Sequence, residues 1–248
     1  MSKIPVGIQL YTVRQALGQD FKGVVKQLAE MGYKGVEFAG NYGNLEPAEL
    51  AAFLKEVGLK CCGQHVNPDA ITNPESKAYA YAKALKCPYL TTSGAGQVEK
   101  DWPGAIETYR QCGAVAKANG CVFTYHNHAT EFIKFDGVYA EDMLFQKTDP
   151  AEVQGELDTY WIRKGGPDPV AYIAQYAGRV PQIHLKDMNP LTCVFTEVGN
   201  GLMDLKAIFK IGKEVGAKWV IVEQDTCPGP ELDSARISIT NLKKFKLA

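Results

Sequence analysis

Four histidines stand among the 248 residues, and each lies at the end of a short apolar run: His65 in KCCGQHV, His126 and His128 in CVFTYHNH, and His184 in VPQIHLKD. Carboxylates close runs of the same kind, Glu37 in GVEFAG, Asp158 in VQGELDT and Glu223 in WVIVEQD. Imidazoles and carboxylates that converge are ligands for Mn2+, Co2+, Zn2+ or Mg2+. They are also proton-transfer groups, because burial and a nearby cation shift their pKa values. One histidine at the end of a strand is as often an ordinary hydrogen-bonded residue. Glu223 or Asp158 alone could equally be half of a rim ion pair with Lys186 or Arg14. A His/Asp/Glu set on four consecutive runs is harder to explain by structure alone, because buried polar groups need a partner or a purpose.

The elements that must bring these residues together follow from the pattern around them. Strand-like runs cover 6–11, 35–40, 60–66, 89–94, 121–128, 153–159, 180–187 and 219–225. They are nearly continuous in apolar residues and end in polar ones, as strands covered on both faces do in a parallel sheet. Amphipathic segments alternate with them at 21–32, 45–58, 73–87, 106–120, 138–148, 168–178, 204–216 and 233–245. Several open on Asp or Pro and stop at Gly, the caps that helices need. Taking Gln9, Glu37, His65, Thr92, His126, Asp158, His184 and Glu223 as markers of the strand ends, the intervals are 28, 28, 27, 34, 32, 26 and 39 residues. Eight units averaging about 31 residues predict an α/β chain folded as one (β/α)8 TIM barrel over 1–248, with its chemistry at the C-terminal ends of the strands. An open doubly wound sheet would need a switch point and a Gly-rich nucleotide loop after its first strand, and none is present.

Composition removes other classes. Lys and Arg total 27 against 28 Asp and Glu, a net charge of -1, which gives no field for capturing nucleic acid or an anionic membrane. No apolar run approaches the roughly 20 residues of a membrane span. The opening MSKIPVGIQLYTVR reaches charged and polar residues too early for a signal peptide, so a cytoplasmic protein is expected. Seven cysteines with no C-x-x-C read as reduced thiols within apolar segments. The G-x-G-x-x-D of EVGNGLMD lacks the third Gly and the βαβ context of a dinucleotide loop.

The motifs GIQLYTVR, GYKGVEFAG, YHNHATEF, ELDTYW, HLKD, EVGNGLMDLKAI and VEQD, in that order and spacing, resemble the xylose isomerase-like TIM-barrel superfamily of sugar isomerases and epimerases over essentially the full length. The resemblance implies one divalent metal, Mn2+ foremost with Co2+, Mg2+ or Zn2+ as alternatives. It would be held by an acidic residue of strand five and by Asp158, His184 and Glu223. Where the family carries a Glu at the end of strand five, this chain has His126, with Glu131 five residues later. Glu131 is the expected ligand because it restores the carboxylate, which leaves His126 and His128 for substrate or proton transfer. Strand alternation puts those two on one side and Asn127 on the other.

The expected reaction is isomerisation or epimerisation of a sugar or keto-sugar, with the metal lowering the pKa of a C–H beside a carbonyl. Glu223, Glu131, His126 and His128 are the candidate proton-transfer groups. Gln9, Glu37, His65, Trp161 and Lys186 are candidate substrate contacts, Glu37 being equally a structural ion pair. The alternative is a lyase that removes the same α-proton and expels a β-substituent from a 3-keto-glycoside or an inosose. The endonuclease IV branch would need a three-zinc cluster, many more histidines and a basic groove. A sugar-binding barrel without catalysis would survive loss of the proton-transfer group. The partner implied is a small carbohydrate, and the resemblance allows a homo-oligomer.

Overall fold

Continuous apolar runs make the strands, and their polar last residues mark where each strand leaves the core. In the computed structural model, which describes residues 3–94 and 96–248, eight such strands form: β1 (Val6–Gln9), β2 (Gly35–Phe38), β3 (Lys60–His65), β4 (Tyr89–Ser93), β5 (Val122–His126), β6 (Val153–Asp158), β7 (Gln182–Leu185) and β8 (Trp219–Val222). Met1, Ser2 and Ala95 of the expected 1–248 domain lie outside the described residues. Each strand pairs in parallel with the next, and β1 also pairs with β8, through Val6–Val220 to Ile8–Val222, so the sheet closes. The chain is a single (β/α)8 TIM barrel, as its spacing predicts.

The strands alternate with α1 (Phe21–Met31), α2 (Pro47–Val57), α3 (Lys77–Leu85), α4 (Val98–Ala118), α5 (Ala140–Gln146), α6 (Pro169–Ala174), α7 (Leu205–Val215) and α8 (Glu231–Lys244). Their ends follow the expected capping chemistry. Asp20, Asp168 and Asp204 accept backbone N–H bonds at the starts of α1, α6 and α7, and left-handed Gly32, Gly58 and Gly216 end α1, α2 and α7. Helix α4 starts eight residues before the expected 106. Pro103 and Gly104 read as a stop, but the chain breaks only at Asp101, whose carboxylate accepts from the Gly104 N–H (3.1 Å) and restarts the helix.

The short elements that the sequence pattern did not show lie between a strand and the helix after it, where a barrel builds its site. They include one-turn helices at Pro68–Thr72 and Thr159–Gly165 and a hairpin of Asp187–Met188 with Phe195–Thr196. Among the described residues no helix is long and apolar enough to cross a membrane. All seven thiols are free. Most are buried or half-buried, but Cys193 is exposed, contrary to the expected burial.

The interior of the barrel holds more than the branched apolar residues expected there. Glu37, Thr91, Thr124, Glu156, Gln182 and His184 are completely buried and bond to one another across it. Gln182 on β7 donates to Glu37 on β2 (3.2 Å) and to the Cys62 carbonyl on β3 (2.9 Å), between strands that are not neighbours. Room for that contact comes from Gly63, where an added Cβ would lie 1.9 Å from Glu37 Oε1. A slip in the β2–β3 register between Val36 and Glu37 delivers Gly63 to this position.

Candidate active site

Period-two alternation stacks the polar residues in two tiers, because i and i−2 of a strand share a face. The outer tier holds His126, Asp158, His184, Lys186 and Glu223, and the inner tier Glu37, Glu156 and Gln182. His184 spans both. Its Nδ1 lies 2.9 Å from Glu223 Oε2, and its Nε2 lies 2.5 Å from Glu37 Oε2 and 3.0 Å from Glu156 Oε1. His126 does the same, with Nε2 3.9 Å from Asp158 Oδ2 and Nδ1 3.3 Å from Glu156 Oε1. His65 joins the inner tier through Nε2, 2.7 Å from Glu156.

Each outer residue is held by its own strand end. Asp158 closes β6 and caps the helix that follows, Oδ1 accepting from the Trp161 N–H (2.9 Å), while its own N–H donates to Asn127 Oδ1 (2.9 Å). Its Oδ2 is buried and accepts no hydrogen bond, with the Lys186 ammonium 3.2 Å away, while His126 Nδ1 faces Glu156 at 3.3 Å without an aligned hydrogen bond. Glu223 pairs with Lys186 Nζ at 2.8 Å, so the simple ion-pair reading holds for this contact and coexists with the cluster. Lys186 is also 3.2 Å from Asp158 and 3.0 Å from Asp225.

Charge is concentrated here. Asp158, Glu223 and Asp225 surround Lys186, while Glu37 and Glu156 flank His184. Burial pushes the Asp158 carboxyl up to about 6, against the pull of Lys186 and His184. Burial alone would raise Glu37 and Glu223 too, but the cations beside them hold both well below the usual carboxylate range. Burial would lower His65, yet the Glu156 and Glu37 carboxylates raise it to about 10. His184 is raised by the same pair. Burial and Lys186 hold His128 down to about 4. Lys186 stays charged because Asp158, Glu223 and Asp225 outweigh its burial.

The residues present fit a divalent cation. One donor atom from each of His126, Asp158, His184 and Glu223 lies within 4.8 Å of the others, all buried, and Asp158 Oδ2 among them accepts no hydrogen bond. A mixed imidazole and carboxylate set suits Mn2+, Co2+ or Zn2+. A second set, His65, His126, Glu156 and His184, is equally close-knit. Its carboxylate, Glu156, already has His65 and Thr91 as partners, and Glu37 beside it has Gln9 and Gln182. These inner carboxylates can instead accept from the far ring nitrogens of His126 and His184, the usual support for ligating imidazoles.

A cavity of about 350 Å3 opens over the outer tier, walled by Gln9, His65, His126, His128, Lys186, Glu223 and Asp225 among others. One sequence expectation needs correction. Glu131 does not reach the outer set. Its carboxylate turns outward to accept from Tyr125 Oη (2.7 Å), the His128 N–H (3.0 Å) and Thr130 Oγ1 (2.9 Å), so the strand-five place falls to His126. Glu37, expected equally as a substrate contact or a structural ion pair, takes the second role: it lies beneath the site, bonded to Gln9, Gln182 and His184.

His128 stands beside His126, ring centroids 5.2 Å apart, with a buried and unpartnered Nδ1. Trp161 is not a wall of the cavity. It backs the His128 ring at 5.1 Å and the Lys186 ammonium at 5.5 Å. Glu156, Gln182 and Asp225 were not singled out from the sequence. Each lies two residues from one that was, and period-two counting back from Asp158 and His184 and on from Glu223 finds all three.

Known proteins share this fold. A family model described as xylose isomerase-like TIM barrel matches residues 25–245. An inosose dehydratase of Geobacillus kaustophilus (strain HTA426) is 23% identical over 249 residues, spanning 83% of this chain and 80% of that protein. Among solved structures, a sugar phosphate isomerase/epimerase from Parabacteroides distasonis ATCC 8503 superposes with a TM-score of 0.83 at 23% identity, covering 98% of this chain and 94% of the other. The IOLI protein with a bound zinc atom superposes with a TM-score of 0.74 at 14% identity, over 98% and 96% of the two chains.

Proposed function

The chain belongs to the xylose isomerase-like TIM-barrel family, and from that premise we propose that it is a divalent-metal-dependent lyase that dehydrates a polyhydroxylated ketone such as an inosose. The observation that carries the reading is the convergence of His126, Asp158, His184 and Glu223 beneath a cavity that His126, Glu223 and His128 wall, with His128 Nδ1 hydrogen-bonded to nothing. The inosose dehydratase relatives and the zinc held by the IOLI protein support it.

His126, Asp158, His184 and Glu223 would hold the metal, which when bound supplies Lewis-acid polarisation of a carbonyl and so lowers the pKa of the adjacent C–H. His128 removes that proton, breaking the C–H bond. The electron pair forms a C=C bond as the β-C–O bond breaks. His65, across the cavity on β3 and hydrogen-bonded to Glu156, donates the proton with which the hydroxyl leaves as water. Lys186 donates to oxygen at the polarised carbon, its charge kept by three carboxylates. Glu37 and Glu156 fix the rings of His184 and His126 from below.

The same first step serves epimerisation if the proton returns to carbon. His65 and His128, on either side of His126, are the observation that keeps this second reading in play. Proton NMR in D2O with scyllo-inosose and Mn2+ separates the two. Loss of the α-proton with appearance of a conjugated enone supports the lyase. Exchange without enone moves the assignment to epimerase, and neither, in protein shown to hold metal, overturns both.

A further inference from the structure

The cavity over the metal tier is not closed on its β3–β4 side. Tyr11, Ala39, His65 and Ser93 wall both it and a second hollow of about 1000 Å3 that runs outward between the ends of β3 and β4 and the start of α4. The inner chamber, about 350 Å3, is at the small end of ligand pockets and suits one sugar ring, whereas the outer one is at the large end.

The walls of the groove decide what it can take. Asn67, Asp69, Ser93, Gln97 and Thr108 present amides, hydroxyls and a carboxylate, and Tyr11 presents an aromatic ring that is 44% exposed at the junction. No lysine or arginine is among the described wall residues of the groove. Lys186 walls the inner chamber and not the groove. Arg14 is stacked 4.1 Å over the Tyr11 ring, its guanidinium donating to the Tyr11 carbonyl. The restart of α4, a helix N-terminus of the kind that binds phosphate, is already capped by the Asp101 carboxylate. A phosphate entering the groove would meet Asp69 and Asp101, and the imidazolium of His65 at the junction is already paired with Glu37 and Glu156.

We propose that this groove is a second subsite for an uncharged polyhydroxylated group the size of a further sugar ring, so that the substrate is a glycoside-like ketone without phosphate. This rests on the reading of the inner chamber as the reacting end. The aromatic ring of Tyr11 packs against the apolar face of that second ring, while the amides and hydroxyls of the groove satisfy its hydroxyls.

Calorimetric titration of the Mn2+-loaded full-length protein tests it, using glucose, glucose 6-phosphate, and the disaccharides cellobiose, maltose and trehalose. At least one disaccharide is expected to bind tenfold or more tightly than glucose, and glucose 6-phosphate tenfold or more weakly. Thr108→Trp, at an exposed position of α4, fills the groove and abolishes the disaccharide advantage with glucose binding unchanged. Asp69→Lys narrows the penalty on glucose 6-phosphate. Equal binding of glucose and all three disaccharides, or tightest binding of glucose 6-phosphate, overturns the subsite. Dehydration of scyllo-inosose is scored separately: activity there without a disaccharide advantage removes the subsite and leaves the lyase, while a disaccharide advantage without any α-proton exchange keeps the subsite and removes the lyase.

Discussion

Lys186→Met isolates the electrostatics of the site. The ammonium is 1% exposed and lies within 3.2 Å of Asp158, Glu223 and Asp225. Methionine keeps the stem and removes the charge. Breaking a buried pair by deleting one partner costs about 3–5 kcal/mol, because the other charge is left uncompensated. For a chain of this size each kcal/mol moves Tm by about 2–4 °C. The metal-free variant is therefore expected to melt about 6–20 °C below wild type in EDTA. In saturating Mn2+ the deficit shrinks, since a cation offsets the same carboxylates. If it falls from about 4 to about 2 kcal/mol, linkage makes the variant bind Mn2+ roughly 30-fold more tightly than wild type, even though its activity is lost. Thermal scans by circular dichroism with and without Mn2+ measure both numbers. A deficit under about 1 kcal/mol in EDTA would refute the charge balance. An identical deficit in EDTA and Mn2+ would show that ion and ammonium do not share Asp158 and Glu223.

Four other outcomes follow from the same geometry. His126→Ala is expected to cost metal affinity heavily while Glu131→Gln leaves it near wild type, read by elemental analysis after dialysis; the reverse ranking returns the strand-five ligand to Glu131. Glu156→Gln, beneath His126 and His184, should weaken Mn2+ binding about 10–100-fold in a chelator competition. His128→Asn should abolish α-proton exchange in D2O and keep the metal, so loss of both would make it a structural residue. Glu141 gives a pH test away from the metal. Both its oxygens are buried without partners, and burial, with Glu131 and Asp142 nearby, raises its pKa well above that of a free carboxyl. The unfolded chain gives up this proton near its ordinary pKa and the folded chain holds it to higher pH. Its contribution to stability is therefore whole below that ordinary value and falls by about 1.4 kcal/mol per pH unit above it, until the folded group ionises. Glu141→Gln should flatten the fall in Tm between pH 5 and 7, and an unchanged slope would show that Glu141 is not the source.

The barrel was legible in the sequence because burial on both faces writes itself into WVIV or GVEF as a continuous run, and caps such as Asp204 and Gly216 are local chemistry. The outer tier was legible for a related reason. His126, Asp158, His184 and Glu223 interrupt apolar runs at a fixed place in each repeat. The inner tier is a different matter. Glu156 and Gln182 sit inside the runs, where a polar residue looks like ordinary variation, and their meaning depends on contacts to strands 26 or more residues away in sequence. Glu131 misled because a carboxylate five residues past His126 has the right chemistry. Its direction is set by the turn at Thr130–Phe132 and by Tyr125 Oη, neither of which a motif encodes. The kink at Asp101 escaped likewise, because Pro103 reads as a break until a carboxylate caps the helix beyond it.

The most direct test of the central claim is an anomalous difference map from crystals of the protein grown with Mn2+. One peak is predicted among His126, Asp158, His184 and Glu223, beneath the cavity. A peak among His65, Glu156 and the inner nitrogens of His126 and His184, or no ordered peak at saturating Mn2+, would contradict it.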